Sequence, residues 1–222
     1  MGNVTLRARL QANPVPDEVV SSEAELLILV DDEDRELGYR SKAGCHDGAG
    51  LLHRAFSLFV FNSSGDVLLQ RRAPEKRLWP LYWSNSCCSH PRQGEDMSDA
   101  TQRRLFQELR IRSELNFLYK FQYSAPFGVA GTERELCWVY AGISDDRVRA
   151  NRTEVSDWRF VHPEQLDHEL NSTPERFTPW FQLEWPEVRA RFFAPLTRDG
   201  LRVASMAPQP TSGAGATGTG GP

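Results

Sequence analysis

The chain of 222 residues is 40% hydrophobic and 25% charged, which is ordinary for a globular protein built around one core. Its formal net charge of −4 argues against nucleic acid as a partner, because nucleic-acid-binding domains are usually basic. The longest aliphatic run, Leu26 to Val30, is far shorter than the roughly 20 residues that cross a bilayer. We therefore expect neither a nucleic-acid partner nor a membrane partner.

The cysteines bear on the cellular location. Two of the four, Cys87 and Cys88, are adjacent in the sequence, and the four do not form a disulfide scaffold, which favours a reducing compartment. The first residues lack the apolar segment of a secretory signal. These features predict a cytoplasmic domain, most often an enzyme.

Composition divides the chain into three parts. Residues 1–22 contain the sequence Asn-Pro-Val-Pro and little apolar periodicity, which predicts a flexible leader. Residues 199–222 are mostly Gly, Ala, Thr and Pro, with no large apolar side chain after Met206, and we expect a disordered tail because such a segment cannot offset its chain entropy. A single domain over 23–198 remains.

Strand patterns dominate this domain. In chain order, strands are predicted at 25–30, 53–61, 67–70, 117–125, 135–143 and 155–161. Residues 53–61 are apolar on both faces, which indicates a strand buried on both sides. Helices are predicted at about 97–109 and from Pro179, which follows Thr178 as the N-cap. Strands flanked by a few helices indicate a layered α/β (α+β) domain with a mixed sheet.

The first candidate site consists of histidines and glutamates. Glu133 and Glu135 lie two apart at the entry of a predicted strand, and the two-residue period places both carboxylates on one face. Together with His46, His53 and His90 they would offer the nitrogen and oxygen ligands that suit a divalent ion such as Zn²⁺ or Mn²⁺. Since the histidine spacing fits no tight chelating motif, isolated core or surface residues remain an alternative.

The second candidate is the stretch WSNSCCSHP, residues 83–91. A reactive thiol needs a nearby proton partner, and His90 is close to Cys88 in sequence. In an extended stretch the adjacent thiols of Cys87 and Cys88 cannot both face one pocket. Taken alone, these residues favour the other interpretation, in which both cysteines are small buried hydrophobes.

A third group is cationic. Arg72 ends a predicted strand, Lys76 and Arg77 follow it, and Arg104 is an i,i+4 neighbour of Glu108 on the first predicted helix. Such cations could clamp a diphosphate, with Glu108 holding a Mg²⁺ ion that bridges to it. The alternative is a solvated basic rim, which for Lys76 and Arg77 alone is the better-supported interpretation.

Taken together, these stretches resemble the type I isopentenyl-diphosphate Δ-isomerase family, which has a Nudix-like fold. The matching segments keep the family's order and spacing: LLHRAFSLFVFN (51–62), LLQRRAPEKRLWP (68–80), YWSNSCCSHP (82–91), RRLFQEL (103–109), ERELCWVY (133–140) and FTPW (177–180). They span roughly residues 40–180. The resemblance implies a Nudix-like mixed β-sheet sandwich flanked by helices, and the conversion of isopentenyl diphosphate to dimethylallyl diphosphate by protonation and deprotonation.

The resemblance also implies a role for each matching residue. Cys88 matches the family's catalytic cysteine, Glu135 its second acid/base and Tyr123 a proton-shuttling phenol, and our hypothesis is that Glu135 donates the first proton and Cys88 accepts the second. The implied ligands of one divalent ion (Mn²⁺, Zn²⁺ or Mg²⁺) are His46, His53, His90, Glu133 and Glu135. The implied substrate contacts are Lys42, Arg72, Lys76 and Arg104 on the diphosphate, Trp180 on the hydrocarbon part, and Glu108 on the Mg²⁺ of the diphosphate.

The chain departs from the family pattern at two points. Arg110 stands where the family often has glycine, and the paired glutamates of Nudix hydrolases are missing although Gly94 and Glu108 remain. Diphosphate hydrolysis needs several carboxylates for its metal ions, so the sequence favours the isomerase over a Nudix diphosphate hydrolase. It also favours the isomerase over a catalytically inactive, metal-stabilised binding module. The oligomeric state stays open, and a monomer is compatible with the sequence.

Overall fold

The computed structural model describes residues 17–193. Residues 1–16 of the predicted leader and the whole predicted tail lie outside this range, so the proposed domain limits stay predictions. Residues 17–22 contact the domain, since the carbonyls of Glu18 and Val20 accept hydrogen bonds from Asn151 and Arg104. Among the described residues, no helix is long and apolar enough to cross a membrane.

Nine strands form one mixed sheet. They are β1 (Leu26–Val30), β2 (Glu36–Ser41), β3 (His53–Phe61), β4 (Val67–Arg72), β5 (Trp83–Ser84), β6 (Cys87–Ser89), β7 (Glu114–Pro126), β8 (Thr132–Ile143) and β9 (Val155–Val161). The helices are α1 (Lys42–His46), α2 (Met97–Leu109), α3 (Pro163–Ser172) and α4 (Pro179–Glu187), with a 3₁₀ turn at Pro174–Arg176 and a π-helical turn at Val188–Phe193.

Strand β3 organises the sheet. It pairs in parallel with β8 along its whole length, from His53 beside Glu135 to Phe61 beside Ile143. It also pairs antiparallel with β6, which sets Cys88 opposite Ser57. Strand β3 therefore places residues of β6 and β8, which are distant in the sequence, directly beside its own residues.

The side chains of β3 alternate between two hydrophobic cores. Phe59 and Phe61 pack in the core that includes Phe181 of α4, whereas Phe56 and Leu58 pack in the core of α2. All four are essentially inaccessible to solvent, and each buried side chain of this size contributes roughly 1.5–3 kcal/mol to folding. The prediction of a strand buried on both sides is confirmed, and α2 and α4 cover opposite faces of the sheet.

The strong sequence patterns and the observed elements agree. Strands β3 and β9 and helix α2 have the predicted bounds. Strands β7 and β8 each begin three residues before the predicted start, so that Glu133 lies within β8. The patterns do not reveal β5, β6 or α1, which are too short to display a period. The patterns do not reveal β2 either, because its sequence ELGYRS has no regular apolar face and none of its residues is buried. They also do not reveal α3, although Pro163 at its first position is a helix-start signal.

Candidate active site and metal centre

Five side chains from four segments meet in one buried cluster. His46 ends α1, His53 begins β3, His90 follows β6, and Glu133 and Glu135 lie on β8. Each offers one potential ligand atom, and these atoms all lie within 4.8 Å of one another. Between the two glutamates Arg134 is exposed while both carboxylates are buried, which is the one-face arrangement that their spacing predicts.

His53 is held in the form that binds metals. Its Nδ1–H donates to the carbonyl of Leu51 at 2.7 Å, so the Nε2 of the neutral ring carries a free lone pair. That Nε2 lies 3.3 Å from Nε2 of His46 and 3.2 Å from Nε2 of His90. Burial, and then the charge of His46, lowers the pKa of His53 to about 4, which keeps the ring neutral near pH 7.

The cluster fits a divalent cation. Oε2 of Glu133 lies 2.9 Å from Nε2 of His46, yet this buried oxygen has no hydrogen-bond partner among residues 17–193. An unsatisfied buried acceptor beside three converging imidazole nitrogens is costly unless a cation lies between them. Three nitrogens with carboxylate oxygens suit Zn²⁺ or Mn²⁺.

The two glutamates of the cluster are electrostatically different. Burial raises the pKa of Glu133, but the attraction of His46 outweighs it and holds the value at about 2. Burial and the charge of Glu133 together raise the pKa of Glu135 well above its ordinary value. Two carboxyl groups in one site therefore divide into an anion and a proton carrier.

Glu135 also contacts a phenol. The hydroxyl of Tyr123 donates to Oε2 of Glu135 at 2.6 Å, while Oε1 lies 3.0 Å from Nε2 of His90. Burial and the neighbouring Glu135 raise the pKa of Tyr123 well above its usual range, so the phenol keeps its proton. One carboxyl group thus links the histidine cluster to the cavity wall.

Cys88 lies on the same cavity as this pair. A cavity of about 640 Å³ is lined by Cys88, Tyr123 and Glu135. The thiol donates to Oδ1 of Asn85 at 2.7 Å, and burial followed by the charge of Glu184 raises its pKa, so it rests protonated. Cys87 is fully buried in the core of α2 instead, which confirms that the adjacent thiols do not share a pocket.

Six lysine or arginine side chains and one indole are among the described residues that line the same cavity. The cations that the resemblance implies all contribute: Lys42, Arg72, Lys76 and Arg104. Trp180 is 3% exposed, and its Nε1–H donates to Oγ of Ser84 at 3.0 Å. The guanidinium of Arg72 lies 5.3 Å from the centre of the Trp180 ring, so the cationic and aromatic parts of the wall are in contact.

Glu108 is placed differently from the other predicted residues. It is buried on α2, its Oε1 accepts a hydrogen bond from Nη2 of Arg104, and it is not among the described residues that line the cavity. Its carboxylate has the oxygen ligands that Mg²⁺ takes, but its Oε1 is already engaged by Arg104. A Mg²⁺ ion on Glu108 stays a prediction from the resemblance.

Sequence patterns missed two buried carboxyl groups beside the cavity. Glu154, in the turn before β9, lines the cavity and pairs with Lys76 and Arg104. Glu184, on α4, lies 3.7 Å from the thiol of Cys137, and burial raises its pKa to about 8. No local pattern reports either residue, because their partners are distant in the chain.

Comparison with known proteins places this geometry in a family. A family model described as NUDIX domain matches residues 51–181. The chain is 42% identical to isopentenyl-diphosphate Delta-isomerase 1 of Photorhabdus laumondii over 171 residues, which are 76% of this chain and 97% of that protein. It is 42% identical to the isopentenyl-diphosphate Delta-isomerase of Serratia proteamaculans over 157 residues, or 71% of this chain and 87% of that protein.

A solved structure supports the fold. DR0079 from Deinococcus radiodurans superposes with a TM-score of 0.61 at 22% identity, over 73% of this chain and 98% of that one. The mixed sheet with helices on both faces is therefore a Nudix fold, as the resemblance implies. Since the curated relatives match along most of their length, the chain belongs to the isopentenyl-diphosphate Delta-isomerase family of Nudix-fold proteins.

Proposed function

We propose that this protein is an isopentenyl-diphosphate Δ-isomerase, which moves the double bond of isopentenyl diphosphate to give dimethylallyl diphosphate. The observation that carries the proposal is that Cys88 and the Glu135–Tyr123 pair line one cavity together with six cationic side chains. This arrangement offers two proton-transfer groups to a substrate whose diphosphate is held by positive charge. Names of the relatives support the same activity.

The chemistry explains why the cavity is built from buried groups. An unactivated alkene is a very weak base, so proton addition at its terminal carbon passes through a tertiary carbocation. Loss of a proton from C2 then forms the new double bond, and the diphosphate stays attached. The protein must supply an acid and a base while excluding water that would trap the cation.

We assign the first proton to Glu135, assisted by Tyr123. The raised pKa of Glu135 favours the protonated carboxyl group in the resting cavity, and the Tyr123 hydroxyl would stabilise the carboxylate that is left. The proposed ligands of the divalent ion are His46, His53, His90, Glu133 and Glu135. When bound, that ion supplies positive charge that stabilises the anionic form of Glu135.

We assign the second proton transfer to Cys88. The C2–H bond beside a tertiary carbocation is strongly acidic, so the thiolate of Cys88 is a sufficient base. Because burial raises the pKa of this thiol, its proton would pass to solvent before the substrate binds, and after turnover the proton gained by Cys88 would return to Glu135 through solvent. Asn85 and Ser57 are within hydrogen-bond distance to orient the sulfur. Trp180 would stabilise the cation through the face of its ring.

Substrate binding completes the proposal. Lys42, Arg72, Lys76 and Arg104 would hold the diphosphate, with Mg²⁺ on the diphosphate itself. A cytoplasmic location is part of the proposal and is supported by the four free cysteines, all of which lie in the described range.

The test is a proton and phosphorus NMR time course with isopentenyl diphosphate and Mg²⁺ in D₂O. Dimethylallyl diphosphate that carries deuterium, with its diphosphate intact, is the expected product. Release of phosphate would indicate a Nudix hydrolase, and an unchanged substrate with folded, metal-loaded protein would indicate a binding module. Either result would overturn the proposal.

Cys88→Ser provides the residue-level test. We expect kcat to fall at least about 100-fold with little change in KM, because general acid–base groups contribute factors of this size or larger. Cys45→Ala is the matched control, since Cys45 is a buried thiol that does not line the cavity among the described residues. An unchanged kcat in Cys88→Ser would refute the assignment.

A further inference from the structure

Glu154 is a buried carboxylate in the part of the cavity where cations converge. It lies in the turn before β9, is 3% exposed and lines the cavity. Its Oε2 accepts a hydrogen bond from Nη2 of Arg104 at 3.2 Å and a shorter one from Nζ of Lys76. Lys76 follows β4 and Arg104 belongs to α2, so this one oxygen joins two cations from separate elements.

The backbone fixes the position of this carboxylate. The amide N–H of Glu154 donates to the carbonyl of Asn151 at 3.0 Å, and the carbonyl of Glu154 accepts from the amide of Ala73 at 2.9 Å. The side chain of Asn151 donates to the carbonyl of Glu18 at 2.7 Å. The turn is therefore tied to two other segments, and the carboxylate points into the cavity from a rigid base.

The surrounding charges make an anion necessary there. Burial, and then the positive charges of Lys76 and Arg104, lowers the pKa of Lys42, whereas Glu154 raises it. Burial alone would raise the pKa of Glu154, but Lys76 and Arg104 hold it below its ordinary value, so it is ionised. Without Glu154, the cations of an empty cavity would repel one another at close range.

Arg104, which pairs with Glu154, has one unused hydrogen-bond donor atom among the described residues. Arg104 donates through Nη1 to the carbonyl of Val20 and through Nη2 to Glu108 and Glu154. Its buried Nε finds no hydrogen-bond partner in the part of the chain that the structure describes. Arg104 and Glu154 line the same cavity, so an anion bound there would lie beside both this guanidinium and this carboxylate.

We propose that Glu154 is an internal anion that holds Lys76 and Arg104 together in the substrate-free protein and competes with the substrate's diphosphate for them. The inference rests on the proposed function, because that function supplies the diphosphate. When a diphosphate binds, Lys76 and Arg104 share their donors with it, and the carboxylate then faces a like charge at short distance. Glu154 thus weakens the binding of substrate and product alike and favours product release.

Glu154→Gln tests this competition with inorganic diphosphate as the probe. The substitution keeps the size of the side chain and removes its charge. Isothermal titration calorimetry without added Mg²⁺ should show diphosphate binding about tenfold tighter than in the unsubstituted protein, because the repulsion between the carboxylate and the bound diphosphate is removed. The Tm without ligand should fall, and the Tm increase caused by diphosphate should become larger.

A matched control separates local competition from net charge. Glu75 also lines the cavity but is exposed. Glu75→Gln removes the same charge, and we expect less than a twofold change in diphosphate affinity. In steady-state assays Glu154→Gln should lower KM for isopentenyl diphosphate without raising kcat, whereas a purely structural role of Glu154 would lower kcat and leave KM unchanged or higher.

Other outcomes overturn the proposal. Unchanged or weaker diphosphate binding by Glu154→Gln would do so, and weaker binding that appears only when Mg²⁺ is added would assign Glu154 to the metal instead. If Glu154→Gln does not fold, Glu154→Asp keeps the charge one methylene further back. It should bind diphosphate more tightly than the unsubstituted protein, and weaker binding would be contrary evidence.

The binding measurement is independent of turnover. If the unsubstituted protein binds diphosphate but does not isomerise the substrate, the proposed function fails while the competition still stands or falls by Glu154→Gln. If the unsubstituted protein isomerises the substrate and Glu154→Gln shows no tighter binding, only the role of Glu154 fails. If the unsubstituted protein does not bind diphosphate at all, the competition is overturned.

Discussion

The histidine–glutamate cluster and the cationic cluster, which consists of Lys76, Arg104, Glu108 and Glu154, lie beside one cavity. They differ in which kind of hydrogen-bonding atom is left unpaired. In the first, Oε2 of Glu133 is an acceptor without a donor among residues 17–193; in the second, Nε of Arg104 is a donor without an acceptor in the same range. Unsatisfied groups of this kind are rare in protein interiors. The contrast fits the proposal that the first cluster binds a cation and the second binds an anion.

The clusters also differ in how they are stabilised without a ligand. The cationic cluster contains its own counter-ions, because Glu108 and Glu154 both pair with Arg104. In the histidine–glutamate cluster, no lysine or arginine among residues 17–193 forms an ion pair with Glu133 or Glu135. Burial lowers the pKa of His53 and His90 and keeps these two rings neutral. Substitutions in the cationic cluster should therefore mainly lower the stability of the protein, and substitutions in the histidine–glutamate cluster should mainly weaken ligand binding.

Arg104→Met should have the largest effect on stability. It removes the guanidinium and leaves the carboxylates of Glu108 and Glu154 buried, which we expect to cost about 3–5 kcal/mol. Urea unfolding near pH 7 measures this change. Arg103→Met is the control, since Arg103 pairs with Glu95 nearer the surface and its loss should cost about 1 kcal/mol or less. Equal costs for the two variants would contradict the described ion-pair network.

Glu133→Gln should have the largest effect on metal content. The change keeps the size of the side chain but removes the anionic ligand beside His46, so we expect metal affinity and activity to fall at least about 100-fold. Elemental analysis by mass spectrometry measures the bound ion. Glu114→Gln, at the exposed start of β7, should keep both. A full metal complement in Glu133→Gln would exclude this residue as a ligand.

Glu184 sharpens the comparison, because it is a buried carboxyl group that belongs to neither cluster. Burial raises its pKa to about 8, against hydrogen bonds from Ser57 and Cys137 that favour the ionised form. The carboxyl group ionises near pH 4.5 in the unfolded chain and near pH 8 in the folded protein. Between these two pH values the folded protein therefore binds one proton more than the unfolded chain. This contribution to stability is therefore complete below pH 4.5 and is lost as the pH rises towards 8.

The expected slope is up to about 1.4 kcal/mol of unfolding free energy per pH unit. Urea unfolding at pH 5.5 and 7.5 measures it, and Glu184→Gln should flatten the dependence because its amide does not ionise. The same slope in both proteins would show that other groups cause it.

Tyr123→Phe should have the smallest effect. It removes the hydrogen bond to Oε2 of Glu135, and we expect kcat to fall about tenfold with KM within twofold, which corresponds to one charge-assisted hydrogen bond. Tyr140→Phe is the control, because Tyr140 is buried away from the cavity-lining residues. Unchanged turnover in Tyr123→Phe would remove the phenol from the proton path.

Strong local patterns in the sequence predict part of this structure. The apolar residues of β3, β9 and α2 are regular enough to give correct bounds, and the two-residue spacing of Glu133 and Glu135 correctly predicts their shared face. The convergence of the histidines could not be predicted from spacing. His46 ends a helix of five residues and His90 follows a strand of three, which are too short to show any period. Only the resemblance to a family brought the histidines together.

Glu154 marks the limit of what the sequence could show. Its partners Arg104 and Lys76 are 50 and 78 residues away, and they reach it through the packing of α2 and the pairing of β4 with β9. No motif records such a contact, because it depends on the completed fold. Glu184 and Cys137 are hidden for the same reason.

The parallel pairing of β3 with β8 has a consequence for biosynthesis. Its register puts His53 beside Glu135, and a slip by one residue would present Arg134 or Leu136 in place of the acid. Parallel strands so far apart in sequence pair slowly, because a long loop must close first. On the ribosome, the site cannot assemble until β8 has emerged. An ion bound by both strands would then select the correct register and stabilise the closed loop, so metal supply during synthesis should influence the yield of folded protein.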